Sequence, residues 1–202
     1  MSEIFKYNTE ELIQPQQQEI PVFDLVPENS PALKQVLPEF DFTNPPVSPN
    51  EFASKLVETC KHHRGYGLSA NQCGFTHRVF VMGTGDDYVA FFNPKIIESI
   101  GESHIVEACL SFPLLGLRIT RPKEIVVEYQ DFLGVKHTTR FDGISARCFL
   151  HELDHMNGIV YTERAKPLAL KFGSDKRQKT MKTFVKNQIK YMNAMKNGKT
   201  AN

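Results

Sequence analysis

The spacing of apolar residues changes along the chain, and the changes divide the sequence into helices and strands. A first helix is predicted over residues 48–65, with Ser48 as N-cap in a capping box with Glu51 and with Gly65 as the stop. Pro49 suits the first helical position. The apolar stripe at helical spacing consists of Phe52, Leu56, Val57 and Cys60.

Short apolar runs of strand length follow this helix without helical segments between them. They are residues 79–82, 89–93, 96–100, 105–109, 125–129 and 135–141. Residues 131–134, Asp-Phe-Leu-Gly, are typical of a hairpin turn. Strands that do not alternate with helices indicate an α+β fold with a mainly antiparallel sheet.

Two more helices are predicted after the strands. The first covers residues 145–156 and ends at Asn157-Gly158. The second covers residues 174–195, and one side of it carries Met181, Phe184, Val185, Gln188 and Met192. Before residue 48, the segments 14–18, Gln-Pro-Gln-Gln-Gln, and 43–46, Thr-Asn-Pro-Pro, indicate extended or loop structure.

Composition is that of an ordinary folded protein, with 41% hydrophobic and 23% charged residues among 202. No apolar run approaches the roughly 20 residues of a membrane span, and the polar N-terminus argues against a signal or transit peptide. The four cysteines form no CxxC pair, so we expect reduced thiols and a cytoplasmic protein without membrane contact. They are Cys60, Cys73, Cys109 and Cys148.

Charge is unevenly distributed. Nine of the 24 basic residues but only one of the 23 acidic ones lie in residues 171–199, which leaves this tail at +8 and the rest at −7. A basic tail on an acidic body suits an anionic partner such as nucleic acid, although a solvated amphipathic helix has the same composition. We therefore divide the chain into a catalytic domain, residues 1–165, and a basic helical extension of that domain, residues 166–202.

The predicted helix 145–156 contains His-Glu-x-x-His. Residues four apart lie on one face of a helix, so His151 and His155 can bind one ion. Glu152 adjoins the first histidine, where its carboxylate can take a proton from a metal-activated water. The motif predicts a hydrolytic metal site.

A third protein ligand must come from another element. Cys148 lies on the same helical face, but it is about 7 Å along the axis from the midpoint of the two histidines and its side chain tilts away. Cys109, at the end of an extended run, is the better candidate, while spacing alone leaves Cys60 and Cys73 open. A Cys-His-His set suits iron(II), zinc, cobalt or nickel. Cys60, His62 and His63 lie together at the end of the predicted helix 48–65. We interpret them as residues that end this helix, not as a second metal site.

Three segments together resemble the peptide deformylase family, over about residues 21–164. Residues 65–72, Gly-Tyr-Gly-Leu-Ser-Ala-Asn-Gln, resemble its GxGLxAxQ motif. Residues 107–111, Glu-Ala-Cys-Leu-Ser, resemble EGCLS, and residues 151–155 resemble HExDH. Two positions depart from the family pattern, since Ala108 replaces a glycine, where a positive φ would be strained, and Leu150 replaces a glutamine.

The resemblance implies a hydrolase that removes the N-formyl group from the initiator methionine of newly made peptides and releases formate. Metal-activated water would attack the formyl carbon, with Glu152 as general base and acid. The metal, commonly ferrous iron, would be bound by Cys109, His151 and His155. Gln72 and the Leu110 N–H would hold the oxyanion. The substrate-binding residues would be Tyr66, Gly67, Ile105, Glu107, Ile144 and Cys148.

The resemblance also implies a pairing of Asp154 with Arg121, and a C-terminal helix that contacts the ribosome. Three alternatives remain at this stage. A zincin-type metallopeptidase would need a further ligand, for which Glu163 is available. An inactive relative would only bind peptides, and a basic-tailed nucleic-acid binder would use residues beyond about 170.

Overall fold

Residues 21–196, which the computed structural model describes, contain three α-helices and seven β-strands. The helices are α1 (Pro49–His62), α2 (Gly143–Met156) and α3 (Pro167–Lys196). The strands are β1 (Gly67–Ser69), β2 (Val79–Thr84), β3 (Asp87–Ile100), β4 (Ser103–Cys109), β5 (Phe112–Arg121), β6 (Glu124–Gln130) and β7 (Lys136–Asp142). Short 3-10 helices cover Pro31–Lys34, Ala70–Cys73 and Tyr161–Arg164. The loop predicted at residues 14–18 lies outside the described residues.

Every strand pair is antiparallel. Five strands form one sheet in the order β1-β2-β3-β6-β7, and β4 and β5 form a separate two-stranded sheet. The helix α2 packs against the first sheet and carries the His-Glu-x-x-His motif. The α+β prediction, with antiparallel strands around this helix and a C-terminal helix, is confirmed. No helix within residues 21–196 is long and apolar enough to span a membrane.

The apolar face of α2 anchors it in the core. Phe149 is fully buried, and its ring meets those of Phe80 and Phe91 edge-on at 5.1 and 5.4 Å between centroids. Ala146, Leu150, Leu153 and Met156 belong to the same cluster. These positions recur at helical spacing, so the helix buries one side and fixes the direction of the polar residues between them.

The end of α2 is fixed by its contact with the N-terminal segment. Gly158 has φ +69°, and a Cβ there would lie 2.5 Å from the Lys34 carbonyl oxygen. Only glycine fits both the backbone conformation and the close approach. The predicted stop at residues 157 and 158 is confirmed.

The strand predictions were right in kind but incomplete. Residues 89–93 and 96–100 belong to one strand, β3, whose pairing with β6 is interrupted by register shifts. β5 was not predicted, and it contains Pro113 and Gly116, two residue types that are uncommon inside strands. Its inward positions nevertheless alternate, and they are Leu115, Leu117, Ile119 and Arg121. β1 has three residues, too few to show a periodicity.

Both helix predictions outside α2 needed correction at their ends. Ser48 is the N-cap of α1, but its side chain makes no capping hydrogen bond. The residue with left-handed backbone after α1 is Arg64, φ +56°, not Gly65. α3 begins at Pro167, not at residue 174, because Gly173 does not break it. A Cβ on Gly173 would lie 2.6 Å from Leu117 Cδ2, so glycine lets α3 approach β5 without displacing that side chain.

Replacing Phe149 by alanine should lower the free energy of unfolding by about 3–5 kcal/mol, because it leaves a cavity among buried aromatic rings. Urea denaturation followed by circular dichroism measures the change. Phe132→Ala, at a turn position that is 42% exposed, is the matched control and should cost less than about 1 kcal/mol. Equal losses in the two variants would contradict the packing described for α2.

Candidate metal centre

The last residue of β4 and the C-terminal half of α2 bring three metal-binding side chains together. Cys109, His151 and His155 are buried, and one ligand atom from each lies within 4.8 Å of the others. Cys109 Sγ is 3.3 Å from His155 Nε2. Within residues 21–196 no other group of His, Cys, Asp and Glu side chains meets this criterion.

The other cysteines considered as ligands lie elsewhere. Cys60 is buried at the end of α1, where its thiol contacts the Gly65 carbonyl at 3.3 Å. Cys73 ends the Ala70–Cys73 helix and is half-buried. Glu163, the ligand that the metallopeptidase alternative required, pairs instead with Lys34 and accepts a hydrogen bond from Val160 N–H. Among the candidate cysteines in the described residues, only Cys109 lies beside both histidines.

Glu107 orients the first histidine. His151 Nδ1 is 2.9 Å from Glu107 Oε2, which leaves Nε2 for the site. Burial opposes a charge on His151, but hydrogen bonds with Cys109 and Glu107 outweigh it and raise its pKa to about 10. The sulfur and the carboxylate beside His151 thus favour a positive charge at this position.

Burial has the opposite effect on the second histidine. It lowers the pKa of His155 well below its usual value, and the positive charges of His151 and Arg121 add to the effect. His155 is therefore a neutral imidazole, the form that binds a metal. Its buried Nδ1 has no hydrogen-bond partner among the described residues. A thiol, a neutral imidazole and a position that favours positive charge fit a bound divalent cation.

A buried charge network surrounds Glu107. Its carboxylate accepts hydrogen bonds from Arg121 Nε at 2.6 Å, Arg121 Nη2 at 2.9 Å and Arg147 Nη1 at 2.7 Å. Arg121 also donates to Asp154 Oδ2 at 2.6 Å, so the implied pairing of these two residues is present. Arg164 donates to the other Asp154 oxygen at 2.6 Å. The network joins β4, β5 and α2 behind the histidines.

Glu152 lies deeper, against β1. Its Oε2 accepts a hydrogen bond of 2.6 Å from the Ser69 hydroxyl. Its Oε1 faces Gly67, where an added Cβ would be 2.6 Å away. Burial raises the pKa of Glu152, although the charge on His151 and the Ser69 hydrogen bond act against the shift. A carboxyl group with a raised pKa suits both accepting and returning a proton.

Gln72 is held in one orientation beside the cysteine. Its Oε1 accepts from Ser69 N–H at 2.9 Å, and its Nε2 donates to Ser111 Oγ at 3.0 Å and to Cys109 Sγ at 3.5 Å. Ser69 and Ser111 were not identified as site residues from the sequence, although both lie inside the quoted motifs. Arg147 was also missed, because its partner Glu107 is 40 residues away.

A cavity of about 440 Å³ opens beside these groups. Its lining includes all of the substrate-binding residues that the resemblance implied, together with Gln72 and Leu110. They are Tyr66, Gly67, Ile105, Glu107, Ile144 and Cys148. His155 does not line it, since it lies behind the cysteine and is 1% exposed.

The two departures from the family motif are accommodated. Ala108 is exposed and does not have the positive φ that the glycine comparison suggested. Leu150 is buried in the core cluster of α2, and its carbonyl accepts from Arg121 Nη1 at 3.2 Å. The apolar side chain at position 150 therefore packs in the core, while Arg121 donates its hydrogen bond to the backbone carbonyl of the same residue.

A buried cysteine facing a helical His-Glu-x-x-His segment, with a cavity at the glutamate, defines a metallohydrolase. The sequence of residues 22–171 matches the family model for polypeptide deformylase. A peptide deformylase of Thermotoga neapolitana is 42% identical over 114 residues, 56% of this chain and 70% of that protein. The peptide deformylase of Carboxydothermus hydrogenoformans is 31% identical over 144 residues, 71% of this chain and 93% of that protein.

Solved structures agree with the sequence comparison. A peptide deformylase from Thermus thermophilus matches with a TM-score of 0.72 at 28% identity, over 82% of this chain and 99% of that one. A peptide deformylase from Thermotoga maritima matches with a TM-score of 0.66 at 33% identity, over 73% and 99%. The chain belongs to the peptide deformylase family, metal-dependent hydrolases that remove the N-formyl group from nascent peptides. The family and the activity expected from the three motifs are thereby confirmed.

Replacing Glu107 by glutamine should lower the free energy of unfolding by about 3 kcal/mol, because two buried arginines lose their counter-charge. Chemical denaturation at neutral pH measures the loss. Glu124→Gln is the control, since Glu124 pairs with Arg140 at the surface and should contribute less than about 1 kcal/mol.

The same variant has a predictable pH dependence. Burial raises the pKa of Glu107, but hydrogen bonds from His151, Arg121 and Arg147 outweigh it and hold the pKa far below the ordinary 4.5. A carboxyl group whose pKa is lower in the folded than in the unfolded protein stabilises the fold at pH values above its ordinary pKa. This stabilisation is lost as the pH falls below that ordinary pKa. The stability difference between wild type and Glu107→Gln should therefore shrink below about pH 4.5. A difference that grows with acidity would contradict the network.

Proposed function

We propose that the cavity beside Cys109, His151 and Glu152 is the active site in which this enzyme hydrolyses N-formylmethionyl peptides. The observation that carries the proposal is the position of Glu152, whose free oxygen faces Gly67 and the cavity beside the three metal-binding side chains. Nascent chains begin with formylmethionine in the cytoplasm of bacteria, so we place the enzyme in a cytoplasmic compartment.

Cys109 Sγ, His151 Nε2 and His155 Nε2 would hold one divalent ion. We propose ferrous iron, with zinc, nickel or cobalt as ions that the same donors accept. When bound, the ion supplies Lewis acidity that lowers the pKa of water and polarises the formyl carbonyl. The described residues provide three protein ligands, which suits a catalytic site that keeps a further position for water or substrate.

Glu152 would act as general base and then as general acid. The Ser69 hydroxyl fixes Oε2, so the Oε1 atom is left to exchange protons in the cavity. Burial favours the protonated form after the first transfer, which helps the carboxyl group to return the proton to the leaving amine.

Gln72 and Leu110 would hold the oxyanion that develops on the formyl oxygen. The Gln72 amide is oriented by the Ser69 N–H, which donates to its Oε1, and by its own N–H donated to Ser111; the second N–H, which faces Cys109 Sγ at 3.5 Å, would turn to the oxyanion. The Leu110 backbone lies next to the cysteine in the cavity wall. Donors held in place before the reaction begins cost no reorganisation in the transition state.

The substrate backbone would add to β1. This strand lies at the edge of the five-stranded sheet, so Gly67 can pair with an extended peptide. The methionine side chain would then enter the pocket formed by Ile105, Ile144, Cys148 and Tyr66. The Glu107 carboxylate is occupied by Arg121, Arg147 and His151, so we assign Glu107 to the pocket wall and not to recognition of charge.

Replacing Glu152 by alanine should leave metal binding intact but lower kcat by about 10²–10⁴-fold, because the proton carrier is lost. Anaerobically purified variants are compared by metal analysis and by formate release from a formyl-Met tripeptide. Glu102→Ala, an exposed change near β4, is the control. Near-normal turnover by the Glu152 variant would refute its role.

Cleavage of N-acetylated internal peptides by the wild type would indicate a metallopeptidase. Peptide binding without turnover by the metal-loaded wild type would indicate a binding protein.

The basic helix α3 would bring the enzyme to the ribosome. Lys176, Lys179, Lys186 and Lys190 lie on one side of the helix, and no acidic residue follows Asp175. The other side carries exposed apolar residues beyond the contact with β5, among them Phe184 and Met192. A surface with both properties suits the RNA and protein of a ribosomal exit region.

Changing both Lys179 and Lys186 to glutamate should weaken co-sedimentation with ribosomes, because the two side chains neutralise phosphates. In a plot of log affinity against log salt concentration, the slope should become shallower by about one for each lysine removed. Lys123 and Lys136, both exposed on the body of the protein, give a control double variant with the same change in charge. Unchanged co-sedimentation of the first variant would contradict docking through α3.

A further inference from the structure

The mouth of the cavity is apolar except for one cation. Tyr66, Val106 and Ile144 are 65%, 56% and 60% exposed and form most of the rim. Arg64 lines the cavity beside them and is also exposed. The other charged residues in the lining, Glu107, Arg147, His151 and Glu152, are all buried. Among the described residues, Arg64 is the one exposed charged side chain that lines this cavity.

The backbone at Arg64 is one that glycine usually adopts. Arg64 has φ +56° and follows α1, where its N–H donates to Lys61 O at 2.9 Å and the Gly65 N–H donates to Cys60 O at 2.9 Å. This left-handed end of a helix normally carries glycine or asparagine, because a side chain with a Cβ is strained there. A strained residue at the entrance of a cavity is a reason to look for a functional role.

The Arg64 guanidinium group has no partner among the described residues. None of the hydrogen bonds or ion pairs found in residues 21–196 involves the Arg64 side chain, whereas neighbouring Lys61 pairs with Glu58 and Asp86. The packing of α1 does not explain the side chain either, since the buried face of that helix is formed by other residues. The charge at position 64 is therefore available to a ligand.

We propose that Arg64 is a specificity-determining residue that binds an acidic side chain of the substrate in the first three residues after formylmethionine. The inference rests on the proposed function and adds a sequence preference to it. Arg64 lies three positions before Gly67, and an extended peptide paired at Gly67 advances about 10 Å over three residues. The planar guanidinium group can donate two parallel hydrogen bonds to a carboxylate, a geometry that lysine lacks.

The test uses formyl-Met-Ala-Ala-Ala amides in which one alanine at a time is replaced by glutamate, glutamine or lysine. The C-terminal amide removes the only other carboxylate. For at least one position, kcat/KM for formate release by the wild type should be about two- to fivefold higher with glutamate than with glutamine, and lower with lysine. The difference should lie mainly in KM and should decrease with added salt.

Two variants distinguish the effect of the Arg64 side chain from the effect of the backbone conformation at this position. Arg64→Gly relaxes the backbone and Arg64→Gln retains a long polar side chain, yet both should bring the glutamate-to-glutamine ratio to about one. Arg118→Gln removes an exposed arginine that does not line the cavity and should keep the wild-type ratio. Equal rates for all peptides with the wild type, or a preference that survives in both Arg64 variants, would overturn the inference. Absence of formate release from every peptide would instead overturn the proposed function.

Discussion

The Glu107 carboxylate is the contact on which the arrangement of the site depends. It lies on β4, binds Arg121 of β5 and binds Arg147 and His151 of α2, so a single buried group joins the two-stranded sheet to the helix. Alternate residues of a strand face the same side, so Cys109 is directed to the helix by the same strand that directs Glu107. Glu107 therefore contacts His151, and Cys109, two residues further along β4, contacts His155.

The histidine positions could be predicted from the sequence because helical geometry is local. His151, Glu152 and His155 lie within two turns, and the apolar residues around them predict both the helix and the side that is buried. The choice of Cys109 over Cys60 and Cys73 could not be made from spacing, because it depends on the pairing of β4 with β5 and on the ion pairs behind it. The family resemblance implied Cys109, and in the structure its sulfur lies beside both histidines.

Two of the three errors arise at residues whose role is fixed by distant partners. Gly173 has the sequence character of a helix breaker, yet it allows α3 to contact Leu117. β5 contains Pro113 and Gly116, which are uncommon inside strands, yet it forms because it pairs with β4 and buries alternate residues. Gly65 was the expected helix stop, but Arg64 adopts the left-handed conformation. Local propensity was outweighed by tertiary contacts at the first two positions, and the third lies at the entrance to the cavity.

X-ray absorption spectroscopy of the anaerobically purified, metal-loaded enzyme tests the central claim most directly, because it identifies the atoms bonded to the metal without a crystal. The account predicts one metal per chain, bonded to one sulfur and two imidazole nitrogens, and loss of the sulfur signal in Cys109→Ser. A metal bonded only to nitrogen and oxygen, or a sulfur signal that survives in Cys109→Ser, would contradict it.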